Sequence, residues 1–231
     1  MVSAVSCGVS GMAGATLAQK KAIVLISGGI DSTVALWWAM KKDWEIVPLT
    51  MSYNERPKAE RKALRAILRK TRISGLIEVP LDFIKEAQDL VKDGLGGDEF
   101  PDSPEGYIPA RNMIFYSIAA YYAESIGADV IIGGHNEGDP DEFPDSSKRF
   151  FESMERLYGI GLWSGKGRKV RILLPLAGKD KVGVVRLGLR LGVPLSATWS
   201  CSSDGAKPCG RCGSCIERDE AFAELGIDGQ D

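Results

Sequence analysis

The chain has almost no net charge. Twenty-nine basic and 31 acidic side chains leave a formal −2 over 231 residues. No global basic field is present to gather nucleic acid. No apolar stretch is long enough to span a bilayer. Residues 1–19 carry no charge at all and lack both the basic start and the dense apolar centre of a secretory signal. They read as a flexible N-terminal extension over 1–20, with Cys7 an incidental thiol. No internal repeat is visible. A hydrophobic share of 44% with 26% charged residues then suits a soluble globular chain with a good-sized core.

Two further absences concern one short segment. Ser27-Gly28-Gly29-Ile30-Asp31-Ser32 follows the apolar run Ala22–Ile26 and opens a helical pattern. That order reads as buried strand, glycine turn and helix start. Such a turn aims backbone N–H groups and the positive end of a helix at one spot, which suits phosphate. No lysine lies between Gly28 and Met40, so the turn is not a Walker loop. Ser32 stands where the dinucleotide fingerprint needs its third glycine. The bland alternative is an ordinary turn capped by Asp31 or Ser32. Ser-Gly-Gly-x-Asp-Ser on a first strand-to-helix turn resembles the PP-loop of the N-type ATP pyrophosphatases. That resemblance implies a grip on the β,γ-diphosphate of ATP while the α-phosphate is attacked. The loop residues are Ile26, Ser27, Gly28, Gly29, Ile30, Asp31, Ser32 and Thr33.

Apolar runs alternate with helical patterns along the chain. Strands are expected at Ala22–Ile26, Ile46–Thr50, Leu76–Pro80, Val130–Gly133 and Val170–Leu174. Helices are expected at Asp31–Lys41, Lys58–Arg72, Arg111–Ser125, Ser147–Leu157 and Val182–Leu191. The alternation predicts an α/β fold with a doubly wound parallel sheet, whose ligands collect at the carboxyl ends of the strands. The ends at Ser27 and at Gly133-Gly134-His135 then line one crevice. Residues 91–110 and 134–146 read as long functional loops. The run Lys58-Ala59-Glu60-Arg61-Lys62 reads as a solvated helix face.

Cys201, Cys209, Cys212 and Cys215 follow C-x7-C-x2-C-x2-C. Two-residue gaps let thiolates converge on one ion, and four thiolates with no open position suit structural Zn²⁺. An iron–sulfur cluster and a redox cysteine pair are the alternatives. Clustered thiols of this kind, rather than a disulfide framework, point to the cytoplasm. The chain divides on this reading into an ATP-binding domain over 21–195 and a small zinc-binding segment over 196–231.

The loop and the four cysteines together resemble the 7-cyano-7-deazaguanine synthases, the QueC-like nitrile-forming family of queuosine biosynthesis. Other segments carry the same likeness: Ser52-Tyr53-Asn54-Glu55-Arg56, Tyr107-Ile108-Pro109-Ala110-Arg111-Asn112, Phe143-Pro144-Asp145-Ser146, Pro175-Leu176 with Lys181, Gly192-Val193-Pro194 and Thr198-Trp199-Ser200-Cys201. The resemblance implies a ligase that activates 7-carboxy-7-deazaguanine with ATP, captures ammonia as the amide, and dehydrates that amide to the nitrile. It also implies a homodimer.

On this resemblance Asp31 helps to place Mg²⁺, and Arg111 and Lys181 are cationic partners for phosphate or carboxylate. Their plain alternatives are a surface Arg and a helix-start Lys. Arg111, Asn112, Asp145 and Trp199 are the substrate-binding set. Asp145 offers paired acceptors to a guanine-like edge, and Trp199 either stacks on the base or packs beside the cysteine cluster. His135 is either a general base or a loop hydrogen-bonder. The chain departs from the family pattern at Pro57 (usually His), Ala110 (usually Gly), Ser146 (usually Cys) and Gly134-His135-Asn136. These departures fall around the substrate pocket, so an acceptor other than ammonia, including a protein amine, is one alternative. A tRNA-modifying PP-loop enzyme and a non-catalytic nucleotide-binding module are the others. No nucleic-acid or membrane partner is expected.

Overall fold

A computed structural model of the chain describes residues 19–53, 56–90 and 107–227. Residues 1–18 of the expected N-terminal extension and 91–106 of the 91–110 loop lie outside the described residues, and Lys20 already belongs to the first strand.

Five strands form one fully parallel sheet: β1 (Lys20–Leu25), β2 (Trp44–Ser52), β3 (Ile77–Pro80), β4 (Val130–Ile132) and β5 (Arg171–Leu173), in the order β3-β2-β1-β4-β5. All five expected strands are present, with ends shifted by one or two residues. The five expected helices are α1 (Ile30–Met40), α2 (Lys58–Arg69), α4 (Arg111–Ile126), α6 (Lys148–Gly161) and α7 (Lys181–Leu191). Three more join them: α3 (Asp82–Leu90), α5 (Asp139–Glu142) and α8 (Gly213–Glu224). The expected 134–146 loop is partly helical. The Asn136 N–H donates to Asp139 Oδ2 (3.1 Å) and the Gly138 N–H to Asn136 Oδ1 (2.9 Å), which folds the segment on itself.

Alternation along β1 builds two cores. Ala22 and Val24 face one, shared with Val34 and Leu36 of α1, Leu64 of α2, Val184 of α7 and Phe222 of α8. Ile23 faces the other, with Leu49, Ile131, Tyr116 of α4 and Phe151 of α6. A sheet covered on both faces explains why its strands read as continuous apolar runs. From β1 the chain winds outward to β2 and β3, then returns to β4 and β5 on the other side. The reversal point, between β1 and β4, is where such sheets open a crevice.

One feature at α4 is locally strained. Its N-cap Ala110 has φ +54°, in the left-handed region. An L-residue there costs about 1–2 kcal/mol, which accounts for glycine being usual at this position in the resembling family.

Candidate active site

The crevice is a cavity of about 310 Å³ bounded by the loop after β1, the loop after β4 and the start of α4. Ser27, Gly29, Asp31, Ser32, Arg111, Asn112, Gly133, Gly134, His135 and Asp139 all line it.

The glycine loop is tied internally by its own hydroxyls. The Ser27 N–H donates to Ser32 Oγ (3.1 Å), the Gly29 N–H donates to Ser27 Oγ (3.1 Å), and Thr33 Oγ1 donates to the Gly29 carbonyl (2.7 Å). Gly29 is the N-cap of α1 and brings no side chain to cap it. The first-turn amides therefore face the crevice with the positive end of the helix. Ile26 and Ile30 are buried and anchor the loop from below. Gly28 has φ +107°, and a Cβ there would lie 2.6 Å from the Glu60 carbonyl and 2.8 Å from the Leu64 nitrogen. The loop thus rests directly on the backbone of α2.

A partly buried carboxylate needs cationic company. Asp31 has Lys181 Nζ at 2.8 and 3.1 Å from its two oxygens, and Asn136 Nδ2 donates to it at 3.2 Å. Lys181 opens α7 and also stands 3.5 Å from Glu217 of α8. Burial alone would lower the Lys181 pKa. The charge and hydrogen bond of Asp31, with the charges of Glu217 and Asp139, together outweigh that effect, so it is raised. Asp139 behaves in mirror image. Burial works to raise its pKa, but the hydrogen bond and charge of His135, the Asn136 N–H and Lys181 hold it below the usual carboxylate value.

The remaining expected residues are more dispersed. Arg111 lines the cavity with its guanidinium over the Phe143 ring, 5.1 Å from the centroid. Asp145 turns both oxygens to Asn112, accepting from its backbone N–H (2.9 Å) and from Nδ2 (3.2 Å), so it caps the start of α4. Ser146 Oγ accepts from the same Asn112 amide at 3.0 Å. Trp199 is not among the residues that line the cavity. Its backbone N–H donates to the Gly28 carbonyl (2.9 Å) and its indole N–H to the Cys201 carbonyl (3.0 Å), joining loop to cysteine cluster.

Arg56 was quoted in the sequence only as part of a run, yet it is central here. Its buried guanidinium donates to Thr50 Oγ1 and the Met51 carbonyl (both 2.7 Å), to Glu60 Oε2 (2.9 Å) and to the Ser27 carbonyl. One side chain thus ties β2, α2 and the glycine loop together. In the sequence it is one charge beside the run Lys58–Lys62, and nothing local marks it as buried.

The sulfurs of Cys201, Cys209, Cys212 and Cys215 all lie within 4.8 Å of one another. Tetrahedral Zn²⁺ at ~2.3 Å from each sulfur would set them about 3.8 Å apart, so the set fits one ion. The N–H groups of Ser203 and Cys209 donate to Cys201 Sγ (3.3 Å each), and the Cys212 N–H donates to Cys209 Sγ (3.4 Å). Burial acts against the Cys212 thiolate, but donors from Ser202 and Cys215 hold its pKa down to about 6. Burial pushes the Cys215 thiol up to about 12, a cost that a bound cation removes.

A loop of this kind at the β1/β4 switch point, with a four-thiol cluster tied to it, is a restrictive combination. The family model described as "Queuosine biosynthesis protein QueC" matches residues 21–226. The chain belongs to the QueC family. The 7-cyano-7-deazaguanine synthase of Thermoplasma acidophilum is 37% identical over 226 residues, covering 90% of each chain. That of Thermosynechococcus vestitus is 36% identical over 220 residues, covering 90% of this chain and 93% of the relative. Among solved structures, an NMN synthetase from Francisella tularensis superposes with a TM-score of 0.53 at 17% identity, over 91% of this chain and 78% of its own. A 4-thiouridine synthetase in complex with RNA and ATP gives 0.51 at 23% identity, over 90% of this chain. This QueC chain spans 51% of that synthetase. The two superpositions show that this chain shares the fold of those synthetases and nothing about its substrate.

Proposed function

We propose that this QueC-family chain is a 7-cyano-7-deazaguanine synthase, an ATP-dependent ligase that turns 7-carboxy-7-deazaguanine and ammonia into the nitrile through the amide. The observation that carries the reading is the open N-terminus of α1 beside the Asp31–Lys181 pair. It offers amides and a cation to the departing diphosphate, where charge accumulates during acyl activation. A carboxylate oxygen is a poor leaving group, and its conversion to a phosphoric anhydride lets an amine displace it.

In this reading Ser27, Gly29 and Ser32 cradle ATP, Lys181 and Arg111 balance phosphate or substrate carboxylate, and Asn112 orients the deazaguanine. Asp145 acts through Asn112, whose amide it holds. Asp31 lines the crevice as a carboxylate that would hold Mg²⁺ beside phosphate oxygens, and the ion would supply charge neutralisation there. The four thiols fit Zn²⁺ in a closed, structural site. We assign the ATP-binding domain to 21–195 and the zinc segment to 196–231. The four free thiols suit the reducing cytoplasm, and a homodimer is part of the same reading.

The test is direct. Protein is incubated with ATP, Mg²⁺, 7-carboxy-7-deazaguanine and ammonium, and the mass of the deazapurine is followed. Loss of one oxygen-bearing acid and gain of the nitrile mass supports the reading. ATP consumption with an unchanged deazapurine overturns it, and a deazapurine joined to another amine redirects it to that acceptor.

A further inference from the structure

Three groups of the crevice have no part in binding ATP as described above. They are His135, Asp139 and Tyr116, from the loop after β4, α5 and α4. Their arrangement is specific. His135 Nδ1 lies 3.3 Å from Asp139 Oδ2. Asp139 Oδ2 is placed to accept the Nδ1 proton, and in the neutral imidazole this bond leaves the lone pair on Nε2. The imidazole ring lies against Phe151 (centroids 4.8 Å apart) and Tyr116 (5.9 Å), which fixes its plane. The Tyr116 side chain is fully buried, and its hydroxyl has no hydrogen-bond partner among the described residues.

A buried hydroxyl without a partner costs roughly 1–3 kcal/mol, so its retention requires a reason. Its surroundings supply one. A Cβ built on Gly133 would fall 1.8 Å from the Tyr116 hydroxyl and 3.2 Å from His135 Cδ2. The hydroxyl and the imidazole edge that carries Nε2 thus flank the same glycine at the end of β4. They form a small polar corner in a cavity that Leu49, Met51 and Phe115 also line.

The chemistry of the proposed reaction asks for such a corner. A nitrile nitrogen carries no hydrogen, so all three hydrogens of ammonia must leave. When ammonia attacks the activated acid, the C–N bond forms, the C–O bond to the phosphate breaks with its electron pair, and one proton departs. A second proton leaves when the amide oxygen is activated by ATP and pyrophosphate departs. The third leaves when the remaining C–O bond breaks and the triple bond closes. An ammonia nitrogen engaged through its lone pair still has three N–H donors to place, and it needs acceptors that also take protons away.

We propose that the His135–Tyr116 corner is the nitrogen site: His135 Nε2 accepts the protons that the nitrogen sheds, and the Tyr116 hydroxyl holds the nitrogen by a second hydrogen bond. The inference rests on the synthase reading above. Asp139 is a positioning residue that sets the imidazole tautomer. The groups that face His135 are Asp139 from α5, Tyr116 from α4 and Phe151 from α6, and Lys181 from α7 acts on it through Asp139.

The experiment separates activation from nitrogen transfer. Acid-dependent exchange of labelled pyrophosphate into ATP reports activation, and amide plus nitrile mass reports transfer. His135→Gln is expected to keep exchange within about threefold of the parent and to lose transfer by roughly 10²–10⁴-fold, the usual contribution of a general base. Added imidazole should restore part of the loss, and hydroxylamine, unprotonated at neutral pH, should still be acylated. Tyr116→Phe removes only the unpartnered hydroxyl and should fold normally. It is expected to raise the KM for ammonia several-fold and leave the KM for the acid unchanged. Transfer at the parental rate in His135→Gln, exchange and transfer falling together in it, or an unchanged ammonia KM in Tyr116→Phe would each overturn the nitrogen site alone. A parent protein with no acid-dependent exchange and no nitrile product removes the synthase reading itself, and the nitrogen site with it.

Discussion

The Trp199 backbone N–H donates to the Gly28 carbonyl at 2.9 Å, so the approach to the first cluster cysteine is bonded to the floor of the nucleotide loop. The link is reinforced nearby by the Ala59 N–H, which donates to Asp204 Oδ1 at 2.9 Å between α2 and the cysteine segment. A metal held by the four thiols would therefore steady the loop although no cysteine lines the crevice. Chelation, or Cys212→Ser, is expected to lower Tm by about 6–12 °C, equivalent to ~3 kcal/mol in a chain of this length. The same treatments should weaken ATP binding at least tenfold. Metal content by mass spectrometry, calorimetric Tm and ATP titration check both parts.

Arg56 leads to a different kind of failure. Arg56→Met leaves Glu60, Thr50 and two carbonyls short of a buried donor. Removing one partner from a buried ion pair costs roughly 3–5 kcal/mol. Urea unfolding should show that loss as a lower midpoint with an unchanged slope. Arg56→Lys should recover little, since an ammonium lacks the planar fork that reaches four acceptors.

Two backbone positions should respond in opposite directions. Gly28→Ala places a methyl 2.6 Å from a carbonyl of α2 at φ +107°. Loss of more than about 3 kcal/mol and of ATP binding is expected. Ala110→Gly relieves a left-handed alanine at φ +54°. A gain of about 1 kcal/mol is expected, since the αL penalty exceeds the extra chain entropy of glycine. Chemical denaturation of both variants tests the pair.

Lys181 sets an alkaline limit. Its pKa is raised in the folded chain by Asp31 against the opposing effect of burial. The folded state therefore holds this proton more tightly than the unfolded state. The resulting stability is fully present below the unfolded value, about 10.4, and is lost as pH rises through the folded value. The stability of Lys181→Met relative to the parent should rise as pH climbs past about 10.4, because only the parent loses this contribution there. Turnover in Lys181→Met should fall at every pH, because Asp31 then faces phosphate without its cation. Thermal melts across the alkaline range and steady-state assays read the two effects separately.

The Ser27–Ser32 loop, the five strands and the cysteine spacing were all legible in the sequence because each is written in contiguous residues. Apolar runs mark buried parallel strands, glycines mark the turn, and two-residue gaps between cysteines let thiolates converge. The helix α8 was missed because its start, Gly213, lies inside the cysteine motif and reads as a turn. From the sequence alone Trp199 fits either a stack on the base or a place beside the cluster. In the structure its indole N–H is bonded to the Cys201 carbonyl and it does not line the crevice.

The sequence by itself determined the fold class, the glycine loop and the four-cysteine set, since those follow from local periodicity and spacing. Tertiary structure alone decided the company each group keeps. Asp31 meets Lys181 across 150 residues, Ser27 meets Arg56 across 29, and Tyr116, Gly133 and His135 close one corner. The physical reason is the strand order β3-β2-β1-β4-β5. A parallel sheet delivers every strand's carboxyl end to one edge, and the reversal between β1 and β4 draws loops distant in sequence around a single crevice.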